Sequence, residues 1–181
     1  MSKFTVLRAP PLESQLLDAT LWPEVEKLYG HGYELMCVAC NHAGTLVASA
    51  CVSKTAKHAV IRLFETTAWH EVQQLPGHSL TVVQLEFSHD DRYLLSASRD
   101  RHWALFERVD VPPSSSSSSA SSTPASSKPP AKSWAPPPLP LSPTFQLLGK
   151  CKAHARIVWA CAWAPDDRVF FTGSRDQTVR A

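Results

Sequence analysis

The sequence lacks the long apolar segments that a membrane span or a secretory signal requires. Its longest stretch without a formal charge, residues 35–53, is interrupted by Asn41, His42 and several hydroxyl residues, whereas a spanning helix needs ~20 predominantly apolar residues. The N-terminus offers only the run Phe4–Leu7, which is too short for the core of a signal peptide. We therefore expect no membrane association and no secretory leader.

An excess of charge and a set of paired cysteines are also missing. The 18 Lys and Arg residues against 16 Asp and Glu residues give a net charge of +2, which argues against a dominant nucleic-acid-binding surface. The five cysteines are odd in number, and only Cys37 and Cys40 have zinc-knuckle spacing, whereas zinc sites usually use two such pairs. We expect free thiols in a reducing compartment, a buried Cys40, and neither metal nor cofactor.

Serine and proline are concentrated in one block of the chain. Residues 111–143 contain 12 serines and 10 of the 15 prolines. This composition buries too little apolar surface to fold, so it predicts a disordered Ser/Pro-rich insertion. Residues 1–20 are expected to form a flexible lead-in, which leaves residues 21–110 and 144–181 for the folded part.

The folded part repeats itself. The windows 78–105 and 154–181 align without a gap and share a histidine, an Asp-Asp-Arg and a Ser-Arg-Asp. A third copy begins at His31. The step from His31 to His78 is 47 residues, and the step from His78 to His154 is 43 residues once the insertion is left out. A period of ~40–45 residues is typical of a four-stranded propeller blade.

The hydrophobic pattern of each copy predicts short strands that are separated by polar turns. Residues 83–87, 93–98 and 102–106 alternate apolar and polar positions, and Asp90-Asp91 interrupts them. Further strands are predicted at residues 21–29, 69–75 and 144–149. The sequence therefore predicts an all-β fold with two full four-stranded blades and a partial third. Residues 21–29 would be the outer strand of a preceding blade.

These motifs identify a family. A Gly-His pair, a Ser-x-Asp 20–22 residues later and the aromatic-acidic pairs Phe64-Glu65 and Phe106-Glu107 resemble the WD-repeat β-propeller family. Within that family, Leu21–Glu34 and Ser98–Arg101 are most similar to a WD-repeat subunit of a tRNA-modifying complex. The similarity covers roughly residues 10–180 outside the insertion, and it implies part of that subunit's second propeller.

The resemblance implies a scaffold rather than an enzyme. That complex modifies carbon 5 of the wobble uridine (U34) in tRNA, and its catalytic subunit is a different chain. The implied partners are the largest scaffold subunit and the catalytic subunit, with tRNA contacted indirectly, and, more weakly, signalling or cytoskeletal proteins. The implied location is the cytoplasm and the nucleus. The alternative is a stand-alone propeller module that binds acidic or phosphorylated proteins.

The motif residues are expected to form a structural hydrogen-bond network. In a four-stranded meander the b–c turn and the d–a loop emerge at the same end, which places His78 beside Asp100 for a charge-assisted bond. A strand-b hydroxyl is expected to bond the other ring nitrogen, and the family's usual indole donor is replaced by Phe106. In the first copy His58 stands in place of the aspartate. The expected members are His31, His78, Ser98, Asp100, His154, Ser174 and Asp176.

A Ser/His/Asp set is also typical of hydrolases. Here the same set occurs twice at the same spacing, which suits a repeat unit better than one active centre. A triad also needs an oxyanion hole and a cleft, and the sequence shows no glycine-rich nucleophile turn. The structural interpretation is therefore favoured.

Four arginines fall in turns and loops that share one end of the predicted propeller, whereas Arg92 and Arg168 fall at the opposite end. They are either solvated turn residues or an interface for an acidic partner, such as another subunit, tRNA phosphates or an acidic protein tail, because arginine suits bidentate contacts to carboxylate and phosphate. The candidate interface residues are Arg99, Arg101, Arg156 and Arg175.

Overall fold

The computed structural model describes residues 25–109 and 144–181. Its main compact unit runs from His31 to Ala181. Within the described ranges no helix is present that could cross a membrane. The strands are β1 (Leu35–Cys40), β2 (Leu46–Cys51), β3 (Ile61–Glu65), β4 (Glu71–Leu75), β5 (Val82–Phe87), β6 (Tyr93–Ser98), β7 (His102–Val109), β8 (Thr144–Lys152), β9 (Val158–Trp163), β10 (Phe170–Ser174) and β11 (Val179–Arg180).

The strands form three antiparallel sheets in which neighbours in sequence are neighbours in space. Blade 1 has the order β1-β2-β3-β4, blade 2 has the order β5-β6-β7-β8, and blade 3 contains β9, β10 and β11. This meander of four strands per blade confirms the predicted all-β propeller fragment with two complete blades and a partial third.

Some expectations differ from the structure or fall outside it. The predicted strand at residues 144–149 extends to Lys152. Residues 25–29 of the predicted outer strand 21–29 are not in a strand, because an outer strand forms only by pairing with its own blade, and no other strand of that blade is among the described residues. The predicted lead-in 1–20 and insertion 111–143 lie outside the described residues.

Strand β6 shows why the blades stack. Leu94, Leu95 and Ala97 are all fully buried, although a strand at a protein surface would alternate buried and exposed positions. Leu94 belongs to a cluster shared with blade 1, and Leu95 and Ala97 belong to a cluster shared with blade 3. Because successive side chains point to opposite faces, β6 is covered on both sides only when both neighbouring blades are in place.

Aromatic residues fill both inter-blade clusters. Phe106 packs with Phe145 and Leu46 between blades 1 and 2. Trp103, whose burial the sequence left open, is half-buried and meets Phe170 of blade 3 edge-on, with ring centroids 5.1 Å apart. The pairing Ala97↔Trp103 places that indole on the face of blade 2 that blade 3 covers.

Two glutamine side chains hydrogen-bond the backbone of the following blade, using one donor and one acceptor as a paired strand would. The amide of Gln73 in β4 accepts from the N–H of Phe145 at 2.7 Å and donates to its carbonyl at 2.8 Å. The amide of Gln84 in β5 makes the same two bonds with Cys161 in β9. At the aligned position of blade 1, Cys37 offers only a weak contact from Sγ to the carbonyl of Val82 at 3.6 Å.

An aspartate in the turn before strand b ties blade 2 to blade 1 and blade 3 to blade 2. Asp91 of blade 2 accepts from Asn41 Nδ2 at 3.0 Å, from the N–H of His42 at 2.7 Å and from the N–H of Ala43 at 2.8 Å. All three donors belong to the β1–β2 turn. Asp91 has φ 59°, a left-handed conformation that aspartate tolerates better than most residues.

Asp167 repeats this contact one blade further on. It accepts from the N–H groups of His89 and Asp90, each at 3.0 Å, and from His89 Nδ1 at 2.7 Å. Burial alone would raise the pKa of Asp167, but these bonds hold its pKa below the usual value. Asp91 and Asp167 are called the inter-blade carboxylates below.

Replacing an inter-blade carboxylate should loosen the stack. We expect Asp91→Ala to lower the free energy of unfolding by about 3 kcal/mol, because it leaves a cluster of N–H donors without their ionised acceptor. Asp166→Ala is the control, since Asp166 is exposed and only accepts from Arg168, and it should cost under about 0.5 kcal/mol. Urea unfolding followed by tryptophan fluorescence measures both. Equal effects of the two substitutions would contradict the assigned role of Asp91.

Candidate interaction site at the upper end of the blades

The b–c turns and the d–a loops lie together at one end of the stack, called the upper end here. Its segments are residues 52–60, 76–81, 99–101, 153–157 and 175–178. Backbone bonds join them: the N–H of Arg99 donates to the carbonyl of Thr81, and the N–H of Thr81 donates to the carbonyl of Ser53 in blade 1. The predicted histidines, aspartates and arginines of blades 2 and 3 all lie on these segments.

The structure brings His78 and Asp100 together beneath this surface. His78 Nδ1 lies 3.1 Å from Asp100 Oδ2, and the two side chains are 1% and 4% exposed. The carboxylate also accepts from the N–H groups of Ser79 and His102, at 3.1 Å and 3.0 Å, and Lys150 Nζ lies 3.4 Å away. Asp100 is therefore fully bonded without an indole, so the partial network expected for this blade is not what forms.

The predicted hydroxyl partner in blade 2 is wrong. The second ring nitrogen, His78 Nε2, bonds Ser96 Oγ at 2.9 Å, and not Ser98. Ser98 instead donates to the carbonyl of Thr81 at 2.9 Å and accepts from the N–H of Asp100. The reason is depth: Ser96 lies two residues further down strand β6, level with the ring, whereas Ser98 lies at the strand end and bonds the loop.

Blade 3 repeats the arrangement and the same correction. His154 Nδ1 lies 3.1 Å from Asp176 Oδ2, and Nε2 bonds Thr172 Oγ1 at 3.0 Å. Ser174, the predicted partner, donates to the carbonyl of Ile157. The hydrogen bond from the Thr178 hydroxyl is the main cause that holds the pKa of Asp176 well below its usual range, with bonds from the backbone and His154 adding to it.

Blade 1 keeps only half of the network. His31 Nε2 bonds Ser49 Oγ at 2.7 Å, but among the described residues no carboxylate is hydrogen-bonded to its other nitrogen. His58, which replaces the aspartate, packs edge-on against Tyr33 with centroids 5.0 Å apart. Burial, followed by the charge of Arg62, lowers the pKa of His31. This blade matches the expectation of an incomplete network.

The Asp100 carboxylate is strongly stabilised in its ionised form. Burial alone would raise its pKa, but the hydrogen bond and the charge of His78, together with two backbone N–H groups, hold the pKa well below its usual range. A lowered pKa in the folded state contributes stability above the unfolded-state pKa, and that contribution is lost as the pH falls through the folded-state value.

The serines of the predicted Ser/His/Asp sets are not hydrogen-bonded to a histidine within the described residues. Ser98 and Ser174 both donate to backbone carbonyls, so neither is arranged as a nucleophile beside a base, as a catalytic triad requires. The hydroxyls that do bond the histidines, those of Ser96 and Thr172, are 0% and 2% exposed, so a substrate cannot reach them. The hydrolase interpretation therefore has no geometric support from these two serines.

The cysteines lie differently from the prediction. Cys40 is exposed, whereas Cys37 is half-buried and packs against the core of blades 1 and 2. Burial raises the pKa of the Cys37 thiol to about 12, so it is a poor nucleophile and metal ligand. Within residues 25–109 and 144–181, no group of three His, Cys, Asp or Glu side chains is placed to hold a metal ion.

The four candidate arginines are all exposed, and within the described ranges none of their side chains makes an ion pair. Arg156 and Arg175 line a polar groove of about 360 Å³ together with Asp176 and Gln177. Arg99 lines a separate cavity of about 240 Å³ that also includes Lys54. Sequence reasoning missed Lys54, because the b–c turn of blade 1 is longer than its counterparts and does not align with them.

A half-buried carboxylate in blade 2 was also missed. Glu86 lies on β5 facing blade 3, where Oε1 is 3.5 Å from the N–H of Trp163 and Oε2 is buried without a partner among the described residues. Burial raises its pKa, against the effects of the Trp163 N–H and of His89 and His42. The aligned positions of the other blades carry Ala39 and Ala162, so nothing in the repeat pattern marked this site.

The repeated sheets, the His–Asp pairs and the exposed cationic turns define a WD-repeat propeller segment. The sequence matches the family "WD domain, G-beta repeat" at residues 22–58, 69–107 and 145–181, and the chain belongs to this WD-repeat family. The second and third matched segments start at or near the outer strands β4 and β8 and end at the third strand of the next blade.

The chain is homologous to one stretch of Elongator complex protein 2. It is 45% identical to that protein of Mus musculus over 96% of the chain, 44% identical to that of Homo sapiens over 97%, and 42% identical to that of Saccharomyces cerevisiae over 97%. These matches cover 18–19% of each relative, so the chain spans about a fifth of the length of the curated relatives.

The hydroxyl beneath His78 should be essential for stability. We expect Ser96→Ala to lower the free energy of unfolding by about 2 kcal/mol, because it leaves a fully buried ring nitrogen without a partner. Ser79→Ala is the control, since Ser79 is exposed and uses only its backbone in the network. Chemical denaturation at neutral pH measures the difference. If Ser96→Ala behaved like the control, the correction from Ser98 to Ser96 would be wrong.

Glu86 should make the chain less stable at higher pH. A raised pKa in the folded state means that the folded chain holds the proton more tightly, so the contribution of Glu86 to stability falls as pH rises from the unfolded-state to the folded-state pKa. We therefore expect the stability of Glu86→Gln, relative to the parent chain, to rise with pH over that window. Thermal melts at a series of pH values measure it; a pH-independent difference would refute the assignment.

Proposed function

We propose that this chain is part of a non-catalytic WD-repeat scaffold subunit of the Elongator complex. The observation that carries the proposal is identity of 39–47% to proteins named Elongator complex protein 2, over nearly the whole chain. The fold supports it, because the Ser, His and Asp residues that suggest chemistry in the sequence are bonded within the blades.

The complex's role in carbon-5 modification of the tRNA wobble uridine is part of this proposal. The chain would contribute a rigid surface for assembly, contacting the largest scaffold subunit and the catalytic subunit, and would affect tRNA only through them. The proposal also places the protein in the cytoplasm and nucleus, which imaging of the tagged protein in cells would test.

The proposed contact surface is the upper end, where Arg99, Arg101, Arg156 and Arg175 are exposed. An exposed arginine that makes no ion pair with the described residues keeps its fork of donors available for a partner carboxylate or phosphate. This observation also keeps the second candidate function open: a stand-alone module for acidic or phosphorylated signalling or cytoskeletal proteins, which would use the same arginines.

Charge reversal at the upper end should weaken partner binding and leave folding intact. We expect Arg99→Glu combined with Arg175→Glu to reduce recovery of the other Elongator subunits by at least about 10-fold, since even one close charge pair at an interface contributes on the order of 1.5 kcal/mol. The measurement is affinity purification of the full-length protein that contains this segment, with quantitative mass spectrometry of the co-purified proteins.

The matched control is Arg92→Glu combined with Arg168→Glu, which makes the same charge change at the opposite end of the blades. It should change recovery by less than about 2-fold. Unchanged recovery with the upper-end variant would reject the arginine interface, whereas recovery of phosphoproteins without Elongator subunits from the parent protein would reject the scaffold in favour of the stand-alone module.

A further inference from the structure

One concave site at the upper end is built by all three blades. It has a volume of about 240 Å³, and its apolar wall is formed by Val52 of blade 1, Leu80 of blade 2 and Ile157 of blade 3. We call this cavity the three-blade socket. Its volume lies below the ~300–1,000 Å³ typical of small-molecule sites, so it suits a single apolar side chain better than a cofactor or a metabolite.

The polar atoms in the wall of the socket are already bonded to each other. Thr81 Oγ1 donates to the carbonyl of Ser53 at 2.8 Å and accepts from the N–H of Ser53 at 2.9 Å. The Ser53 hydroxyl donates to the carbonyl of Thr55 at 2.6 Å. A bound group would therefore make apolar contacts with this wall and would need to satisfy few of its polar atoms.

Cationic side chains lie in and beside the socket, although Lys54 also lines an adjoining cavity of about 500 Å³ with Tyr33 and Glu34. Lys54 and Arg99 belong to its lining. Arg156 precedes the socket residue Ile157 in the chain, and it lines the neighbouring polar groove with Arg175. All four side chains are exposed and none has an ion-pair partner in the described part of the chain. The one carboxylate in the groove, Asp176, is engaged by His154 and Thr178.

We propose that the three-blade socket anchors an extended acidic peptide segment of a partner protein by one apolar side chain. The apolar side chain fills the space between Leu80 and Ile157, acidic residues on one side of it pair with Lys54 and Arg99, and acidic residues on the other side reach the groove of Arg156 and Arg175. The charge complementarity selects an acidic segment, and the volume of the socket selects one apolar anchor.

The same observations disfavour a nucleic acid. Single-stranded nucleic acids are held by aromatic platforms on which bases stack, and no residue that lines the socket or the groove is aromatic. The inference does not depend on membership of the Elongator complex, because it concerns the chemistry of the bound segment and not the identity of its owner.

The test is a fluorescence-anisotropy titration of the full chain with a labelled synthetic peptide in which one leucine is flanked on both sides by acidic residues. We expect saturable binding that weakens by ~10-fold or more when the leucine is replaced by alanine, because several buried methyl and methylene groups are lost. We expect Leu80→Glu and Arg99→Glu each to weaken binding by at least ~10-fold. An unchanged thermal melt of each variant shows that it is folded.

The matched controls are Leu148→Glu, an exposed leucine on β8, and Arg92→Glu at the opposite end, both of which should leave binding within about 2-fold. Three results overturn the proposal. They are no binding of the peptide by the folded chain, binding that is indifferent to the leucine and therefore merely electrostatic, and displacement of the peptide by a single-stranded RNA whose own binding depends on Arg99 but not on Leu80. Failure of the subunit purification leaves this result unaffected, so the two proposals fail separately.

Discussion

The structure depends on the fact that no blade can cover its own sheet. A four-stranded antiparallel sheet has two faces, and in blade 2 both are apolar: Leu94 and Phe106 on one side, Leu95 and Ala97 on the other. Burial of these faces requires a neighbour on each side, so the stability of each blade is largely the stability of its interfaces, as in other repeat proteins. This stacking also sets the geometry of the upper end. The turns that carry the exposed cations are attached to sheets whose apolar faces are packed together.

Apolar contact between sheets is non-directional and does not by itself fix how one blade sits on the next. Hydrogen bonds, which are directional, fix the position of each blade against the next at three levels: the middle of the sheets, the lower end with the a–b turns, and the upper end. Gln73 and Gln84 pair with the backbone of the following blade, and at the lower end the inter-blade carboxylates bond the turn of the preceding blade. At the upper end, Thr81 bonds Ser53 across the same junction. These contacts hold the socket walls, which come from three different blades, at fixed separations.

The fold could be predicted from the sequence because periodic features indicate it. These features are the alternation within β5 and β6, the turn residues between them and the repeat of His78 at His154. The His–Asp pairs followed from meander topology alone. The partner hydroxyl did not, because Ser96 and Ser98 share a strand face and only their depth separates them. Gln84 and Glu86, which act between blades, carry no signal along the chain, and the repeat of Asp91 at Asp167 indicated a turn but not a contact between blades. Burial of Cys40 was predicted from alignment with core residues, but the described part of the chain places nothing over it.

The inter-blade carboxylates also distinguish the outer faces of the segment from its inner junctions. The position of Asp91 is occupied in blade 1 by Gly44, which keeps the left-handed backbone (φ 68°) but has no carboxylate. The donor position of His89 is occupied in blade 3 by Pro165, which has no N–H. A sheet that packs on the outer face of either blade would therefore lack the full contact that joins the described blades. It would meet apolar surface instead: Val38 on blade 1, and Trp159 and Phe171 on blade 3, are 61%, 45% and 42% exposed. Such a sheet would therefore gain its affinity from burial of this apolar surface, and other residues would have to fix its position on the blade.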